Sequence, residues 1–259
     1  MNDAILKSLN LSGQIALVTG ASSGLGAHFA TVLAQAGATV VAAARRIDRL
    51  KSLVSDITAA GGTAIAVAMD VNDNDSVVAA FDQIQTSVGA VSILVNNAGV
   101  ADPGRFVDST EEKWDFTVDT NLKAVWRVSR EASARMIKAD VAGSIINISS
   151  ILGLQPSANN TLYATAKAGV IQLTKNSAQE LWRHNIRVNA ICPGYFETEI
   201  NYDFFKSEKG DQYLNKIPPR RLGQMNELTM PLLMLASAAG SFVTGIALPV
   251  DGGHLVQSL

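Results

Sequence analysis

The sequence has a single cysteine, Cys192, among its 259 residues. An intrachain disulfide is therefore impossible, which fits a reducing compartment. No apolar run reaches the roughly 20 residues that a membrane-spanning helix needs. Residues 1–12 are mixed and polar, without the basic start and apolar centre of a signal peptide. These absences predict a soluble, cytoplasmic protein with no membrane partner.

Metal ligands and basic clusters are also scarce. The three histidines, His28, His184 and His254, are dispersed and lack ligand spacing with acids or with the cysteine. We therefore expect packing or surface roles for the histidines and no metal site. Cys192 is expected to be a small buried hydrophobe rather than a nucleophile. The formal net charge is −2, with no long basic block, which argues against nucleic acid as a partner.

Apolar sequence is abundant, in short β-branched runs that alternate with longer helical stretches. Hydrophobic residues make up 47% of the chain and charged residues 17%, enough for a large buried core. The short runs predict strands at 15–18, 39–42, 64–67, 91–95, 143–148, 186–191 and 246–250. The longer stretches predict helices near 24–36, 48–60, 74–88, 109–137, 163–183 and 226–238.

Regular βα alternation predicts the α/β class. The expected fold is a Rossmann-type, doubly wound parallel sheet of about seven strands with helices on both faces. The spacing of Ser109-Thr-Glu-Glu112 predicts a capping box that opens the helix at 109–137. On that helix, Trp114 and Trp126 are expected to have packing roles. No repeat, linker or composition break divides the chain, so residues 1–259 are expected to form one domain.

A glycine-rich turn, Gly20-Ala-Ser-Ser-Gly24-Leu-Gly26, follows the first strand and opens the first helix. Glycines let the backbone turn tightly and approach a ligand, and the free N–H groups of a helix N-terminus attract a pyrophosphate. The spacing is G-x-x-x-G-x-G rather than the common G-x-G-x-x-G. The strand–turn–helix context is nevertheless that of dinucleotide binding. An ordinary turn is the alternative.

The end of the second strand selects between nicotinamide cofactors. A carboxylate roughly 20 residues after the glycines would bind the ribose 2′-hydroxyl of NAD. Here the segment is Ala42-Ala-Ala-Arg45-Arg46, with no acid before Asp48. A guanidinium suits the 2′-phosphate of NADP through charge-assisted hydrogen bonds. We expect NADP(H) to be preferred over NAD(H); the alternative is that both arginines are solvated surface charges.

Tyr163 and Lys167 form a candidate acid–base catalyst, because residues four apart share one helix face. A free phenol has a pKa of about 10, and a nearby cation lowers that pKa toward working pH. Ser150, thirteen residues before Tyr163, could hold a substrate oxygen beside the phenol. Taken alone, a tyrosine and lysine at this spacing are more often surface neighbours.

These motifs together resemble the short-chain dehydrogenase/reductase family. The similarity is to the compact single-domain branch that includes 3-oxoacyl-[acyl-carrier-protein] reductases, and it covers about residues 12–253. It is carried by the glycine turn together with Asn96-Asn97-Ala98-Gly99, Asn121, Ser150, Tyr163-x-x-x-Lys167 and Pro193-Gly194.

The resemblance implies where a cofactor binds. The implied cofactor-binding residues are Gly20, Ser22, Ser23, Gly24, Leu25, Gly26, Arg45, Arg46, Asp70, Val71, Asn97, Ala98, Gly99, Tyr163, Lys167, Pro193, Gly194, Phe196 and Thr198. Asp70 and Val71 would contact the adenine, although Asp70 could instead cap the following helix. Phe196 stands where a small aliphatic residue is usual, which leaves its side-chain role open while its backbone could still serve.

The resemblance also implies the chemistry. Tyr163 would be the general acid toward a ketone or the base toward an alcohol, and Ser150 would steady the oxygen. Lys167 would bind the nicotinamide ribose, and Asn121 would hold a water that links Lys167 to solvent. The implied enzyme is an NADPH-dependent oxidoreductase that reversibly reduces a ketone or 3-oxoacyl group to a secondary alcohol. The alternatives are an alcohol dehydrogenase working mainly in the oxidative direction and a non-catalytic NADP-binding regulatory protein.

Substrate and partners are less clearly indicated. Residues 199–222 are expected to form a mobile lid whose aromatics suit an apolar or flat part of a small-molecule substrate. Basic residues of this segment could meet an acyl thioester of acyl carrier protein or coenzyme A, or be solvated charges: Lys206, Lys209, Lys216, Arg220 and Arg221. The resemblance implies a homotetramer or homodimer formed through the long helix and the Tyr163 helix.

Overall fold

The computed structural model describes residues 3–197, 205, 210 and 213–256. Its centre is a seven-stranded sheet in which every strand pairing is parallel. The strands are β1 (Ile15–Thr19), β2 (Thr39–Ala44), β3 (Thr63–Ala68), β4 (Ile93–Asn96), β5 (Gly143–Ile148), β6 (Ile186–Pro193) and β7 (Ala247–Val250). Their order across the sheet is β3-β2-β1-β4-β5-β6-β7. The predicted doubly wound α/β fold is confirmed.

Helices cover both faces of the sheet. The α-helices are α1 (Asp3–Leu9), α2 (Gly24–Gln35), α3 (Ile47–Ala59), α4 (Asn74–Ser87), α5 (Glu111–Val118), α6 (Ala124–Lys138), α7 (Thr161–Leu181) and α8 (Thr229–Ala236). Ala16 and Val18 of β1 belong to one core cluster with Phe29, whereas Leu17 belongs to another with Phe81. Successive strand residues point to opposite faces, so each face of the sheet has its own hydrophobic core.

The topology places a ligand crevice beside β1. The chain passes outward from β1 to β2 and β3, then crosses to β4 on the other side of β1. In open α/β sheets, ligands bind outside the carboxyl ends of the strands at such a switch point. The glycine turn after β1, Arg45 after β2 and Asn97 after β4 therefore meet at one edge of the sheet.

The long helix predicted at 109–137 is interrupted. Residues Asp119–Lys123 form a π-helical segment between α5 and α6. The capping residue is Thr110, whose hydroxyl accepts a hydrogen bond from the Lys113 N–H, and Ser109 lies one residue outside the cap. The position of the cap is set by which hydroxyl reaches the third N–H of the helix, and sequence spacing fixes this only to within a residue.

Helix α1 was not predicted, because its seven residues give no clear period. It contacts the turn at Ala238–Gly240, so tertiary packing holds it. Trp114 and Trp126 are each 44% exposed and do not line the main cavity, so their packing role stays a prediction. Cys192 is fully buried, as predicted. None of the described helices has the length and apolar content needed to cross a membrane.

Candidate active site

A cavity of about 500 Å³ opens at the carboxyl ends of β1, β4, β5 and β6. Most of the residues predicted to bind a cofactor or to catalyse line it together. These are Gly20, Ser22, Ser23, Gly24, Leu25, Arg45, Arg46, Asp70, Val71, Asn97, Ala98, Gly99, Asn121, Ser150, Tyr163, Lys167, Pro193 and Gly194. Gly26 and Phe196 do not line this cavity, and Thr198 lies outside the described residues.

Gly26 and Phe196 instead have packing positions. A Cβ on Gly26 would collide with the carbonyl oxygen of Gly20 and the side-chain amide of Asn97, so Gly26 lets the turn close onto α2. Phe196 is 5% exposed and belongs to the core cluster that contains Phe29. The Phe196 side chain, whose role the sequence left open, is therefore part of the core.

The glycine turn has the shape of a phosphate cradle. Gly20 and Gly24 have φ values of +64° and +55°, a region that other residues rarely adopt. A Cβ on Gly24 would meet nothing within 4 Å, so the backbone here faces open space. Ser23 is the N-cap of α2 but makes no side-chain capping bond. The first N–H groups of α2 are thus left for an anion, which fits a dinucleotide pyrophosphate.

The two arginines after β2 have different surroundings. Arg46 donates to the hydroxyls of Ser22 and Ser23 at 2.9 and 3.3 Å, which ties this arginine to the glycine turn. Arg45 is exposed and lines the cavity, and no described side chain or backbone group pairs with its guanidinium. A guanidinium at this place fits the 2′-phosphate of NADP, and both arginines line the cavity.

Asp70 does not cap the following helix. The N-cap of α4 is Asp73, whose side chain accepts from the Asp75 N–H. Asp70 lines the cavity and its carboxylate accepts from the Asn72 N–H at 3.0 Å. Of the two sequence interpretations of Asp70, the helix cap is therefore wrong, and the adenine contact stays a prediction.

Asn121 is held by an exchange of two hydrogen bonds with one backbone residue. Its amide donates to the Val100 carbonyl oxygen at 2.9 Å and its side-chain oxygen accepts from the Val100 N–H at 3.0 Å. Asn121 is fully buried within the π-helical segment. Single-turn π-segments inside helices are frequent at functional sites. Here the segment aims Asn121 at the loop that follows β4.

Ser150, Tyr163 and Lys167 are brought together between β5 and α7. The Ser150 hydroxyl hydrogen-bonds the Tyr163 phenol, whereas Ser149 donates to the backbone oxygen of Lys167 at 2.8 Å. The Lys167 ammonium donates to the Ile148 carbonyl at 2.8 Å and lies 5.5 Å from the centre of the Tyr163 ring. Ser150, rather than Ser149, thus faces the phenol, as the sequence predicted.

Burial governs the ionisation of this site. It raises the pKa of Tyr163, and the Ser150 hydrogen bond opposes that rise. Burial also lowers the pKa of Lys167 to about 8. The sequence predicted that Lys167 lowers the pKa of the Tyr163 phenol below 10, whereas in the protein without cofactor this pKa is raised. Desolvation of the buried phenol is the largest influence on its pKa.

Several cavity residues were missed by the sequence reasoning. Asn72, Phe116 and Thr120 line the cavity and carry no motif of their own, although Asn72 follows Asp70-Val71 and Thr120 precedes Asn121. Half of the predicted lid, 199–222, lies outside the described residues. Phe205 and Tyr213 of this segment form an aromatic cluster with Tyr195 and with His254 of the C-terminal turn.

Comparison with known proteins decides the family. A sequence profile described as short chain dehydrogenase matches residues 14–209. The chain belongs to the short-chain dehydrogenase family. It is an oxidoreductase that acts on CH–OH and C=O groups, and the family uses a nicotinamide cofactor with small-molecule substrates.

Individual relatives of this dehydrogenase differ in substrate. It is 37% identical to the 3-oxoacyl-[acyl-carrier-protein] reductase FabG of Thermotoga maritima, over 96% of this chain and 100% of that one. It is 34% identical to the 2-dehydro-3-deoxy-D-gluconate 5-dehydrogenase of Dickeya dadantii, over 98% of this chain and 100% of that protein. The crystal structure of a gluconate 5-dehydrogenase from Burkholderia cenocepacia in complex with NADP and tartrate superposes with a TM-score of 0.94. That match has 34% identity and covers 98% of this chain and 100% of the other.

Proposed function

We propose that this dehydrogenase is an NADPH-dependent reductase that converts a ketone or 3-oxoacyl group to a secondary alcohol, reversibly. The observation that carries the cofactor preference is the exposed Arg45 guanidinium, which lines the cavity that holds Tyr163 and has no partner among the described residues. No acidic residue takes the place of Arg45 at the end of β2. The NADP bound by the gluconate 5-dehydrogenase of Burkholderia cenocepacia supports the same preference.

The cofactor would lie along the carboxyl edge of the sheet. The glycine turn and the N-terminus of α2 would hold the pyrophosphate, Arg45 the 2′-phosphate, and Lys167 the nicotinamide ribose. A bound nicotinamide dinucleotide supplies the hydride for carbonyl reduction. The protein's share of the chemistry is to orient the carbonyl and to deliver a proton to its oxygen.

The proton comes from Tyr163. Because burial raises the pKa of this phenol, Tyr163 stays protonated at neutral pH and is prepared to act as an acid. Ser150, bonded to the same phenol, would steady the carbonyl oxygen with its hydroxyl. Lys167 and Asn121 lie behind Tyr163, both close to Gly99. They would return a proton to Tyr163 after each turnover, Asn121 by holding a water.

The function is tested by following NADPH oxidation with a panel of carbonyl compounds. The panel should contain an acetoacetyl thioester, an aryl ketone and a keto-sugar acid, since the relatives act on acyl thioesters and on sugar acids by name. We expect turnover with at least one class and a preference for NADPH over NADH. Tight NADPH binding without oxidation across the whole panel would contradict the reductase and favour the non-catalytic alternative.

The pH dependence follows from the two pKa shifts. As pH rises through about 8, Lys167 loses its charge, while Tyr163 keeps the proton that reduction needs. We therefore expect kcat/KM for reduction to fall with one-proton slope above about pH 8. The profile is measured from about pH 6 to 10, where such groups titrate.

Loss of stability would not explain that fall. The folded pKa of Lys167 lies below its unfolded value of 10.5, so the unfolded chain binds more protons between the two values. Through this group the free energy of unfolding therefore rises with pH above about 8. A profile that stays flat to about pH 10 would show that the Lys167 charge is not needed for reduction.

A further inference from the structure

One helical stretch touches both ends of the cofactor cleft. At the adenine end, the Asn72 side-chain amide donates to the Thr120 hydroxyl at 2.8 Å. At the catalytic end, Asn121, the next residue, exchanges two hydrogen bonds with Val100. Both contacts come from the π-helical segment Asp119–Lys123. The segment therefore presents one side chain to each end of the cleft.

A second hydrogen bond joins the loop at the predicted adenine site to the same helical stretch. Arg127 is 8% exposed and donates to the Val71 carbonyl oxygen at 2.6 Å. Arg127 lies in α6, directly after the π-helical segment that holds Thr120. Val71, predicted to contact the adenine, and its neighbour Asn72 are thus both bonded to this helical stretch.

Besides its hydrogen bond to Thr120, the Asn72 side chain has hydrogen-bonding capacity left over. The Asn72 side-chain oxygen is buried and has no hydrogen-bond partner among the described residues. A buried acceptor without a partner costs free energy, which a donor brought by a ligand would recover. An adenosine group bound beside Asp70 and Val71 would therefore find an unused acceptor on the side chain that bonds Thr120.

We propose that Thr120 is a positioning residue that couples occupation of the adenosine end of the cleft to the placement of Asn121. The proposal rests on the proposed function for the orientation of the cofactor. Thr120 and Asn121 are adjacent in a π-segment, a rare helical form that is frequent at functional sites. When adenosine fixes Asn72, the bond to Thr120 fixes the segment, and Asn121 is held on Val100 next to Lys167.

The experiment uses half of the cofactor. The fragment 2′,5′-ADP carries the adenosine end and lacks the nicotinamide, so it reaches only one end of the cleft. Hydrogen exchange at the Val100 amide, the donor to Asn121, reports the other end. We expect saturating 2′,5′-ADP to slow this exchange by about fivefold or more in the wild type, the lower end of typical coupling. The same fragment should accelerate turnover supported by reduced nicotinamide mononucleotide.

Thr120→Val should abolish both effects, because valine keeps the shape and cannot accept from Asn72. Thr174→Val is the matched control. The Thr174 hydroxyl accepts from the Asn147 side-chain amide at 2.9 Å in the same way, and Thr174 is fully buried. It lies outside the cleft, so this variant should lose similar stability yet keep the response to 2′,5′-ADP. Asn72→Ala removes the same hydrogen bond by deleting its donor, and it should have the same effects as Thr120→Val. It therefore tests the proposal even if Thr120→Val does not fold.

The outcomes separate the two proposals. Binding of ADP but not of 2′,5′-ADP would contradict the NADPH preference, and the exchange comparison is then made with ADP. Binding without slower exchange at Val100 in the wild type would overturn the coupling. If 2′,5′-ADP still slowed the exchange in Thr120→Val and Asn72→Ala, the role of Thr120 would be overturned. The same would follow if Thr174→Val lost the slowing as completely as Thr120→Val. NADPH turnover by the wild type, measured separately, decides the proposed function.

Discussion

Replacing Tyr163 by phenylalanine is expected to lower kcat by about 10²- to 10⁴-fold, the range that a positioned general acid contributes. The change removes one hydroxyl and keeps the ring, so the shape of the site is preserved. The affinity for NADPH should be nearly unchanged, because the predicted cofactor contacts extend over the glycine turn, Arg45 and Lys167. Steady-state turnover with a substrate of the wild type, together with NADPH titration by fluorescence, checks both expectations.

Tyr213→Phe is the control for loss of a phenol near the site. The Tyr213 hydroxyl is hydrogen-bonded to Tyr195 in the aromatic cluster and does not line the main cavity. Phenylalanine keeps the aromatic ring that the predicted lid would offer a substrate, so this variant should keep most of the wild-type turnover. If Tyr163→Phe also kept it, Tyr163 would not be the proton donor, and the acid would have to be sought at Ser150 or a bound water.

Replacing Arg45 by aspartate is expected to reverse the cofactor preference. Two charge-assisted hydrogen bonds of about 1.5 kcal/mol each correspond to a loss of roughly 150-fold in kcat/KM for NADPH. The new carboxylate repels the 2′-phosphate and can accept from the 2′-hydroxyl of NADH, which raises the activity with NADH. The measurement is kcat/KM with each cofactor for one substrate.

Arg49→Asp makes the same change of charge four residues further along the chain. Arg49 is exposed on α3 and does not line the cavity, so this variant should keep the NADPH preference. An equal shift in both variants would mean that general charge, and not a contact from Arg45, attracts NADPH. An unchanged preference in Arg45→Asp would remove Arg45 from cofactor recognition.

Much of this protein follows from local sequence. The alternation of β-branched runs with helices predicted the doubly wound sheet, because strand and helix periods are properties of neighbouring residues. The spacing of Tyr163 and Lys167 placed both on one helix face for the same reason. The glycine turn after β1 and the absence of an acid before Asp48 pointed to the phosphate site and to NADP. Each of these features lies within a few residues of chain.

Tertiary structure decided what depends on residues that are distant in sequence. Desolvation by burial is the main cause of the pKa shifts of both Tyr163 and Lys167, and no spacing rule shows how deeply a pair is buried. The same holds for the π-helical segment, since its two anchors, Asn72 and Val100, belong to loops after other strands. Sequence thus determined which chemical groups the site contains. Folding alone determined their ionisation and their connections, because both arise from contacts between separate parts of the chain.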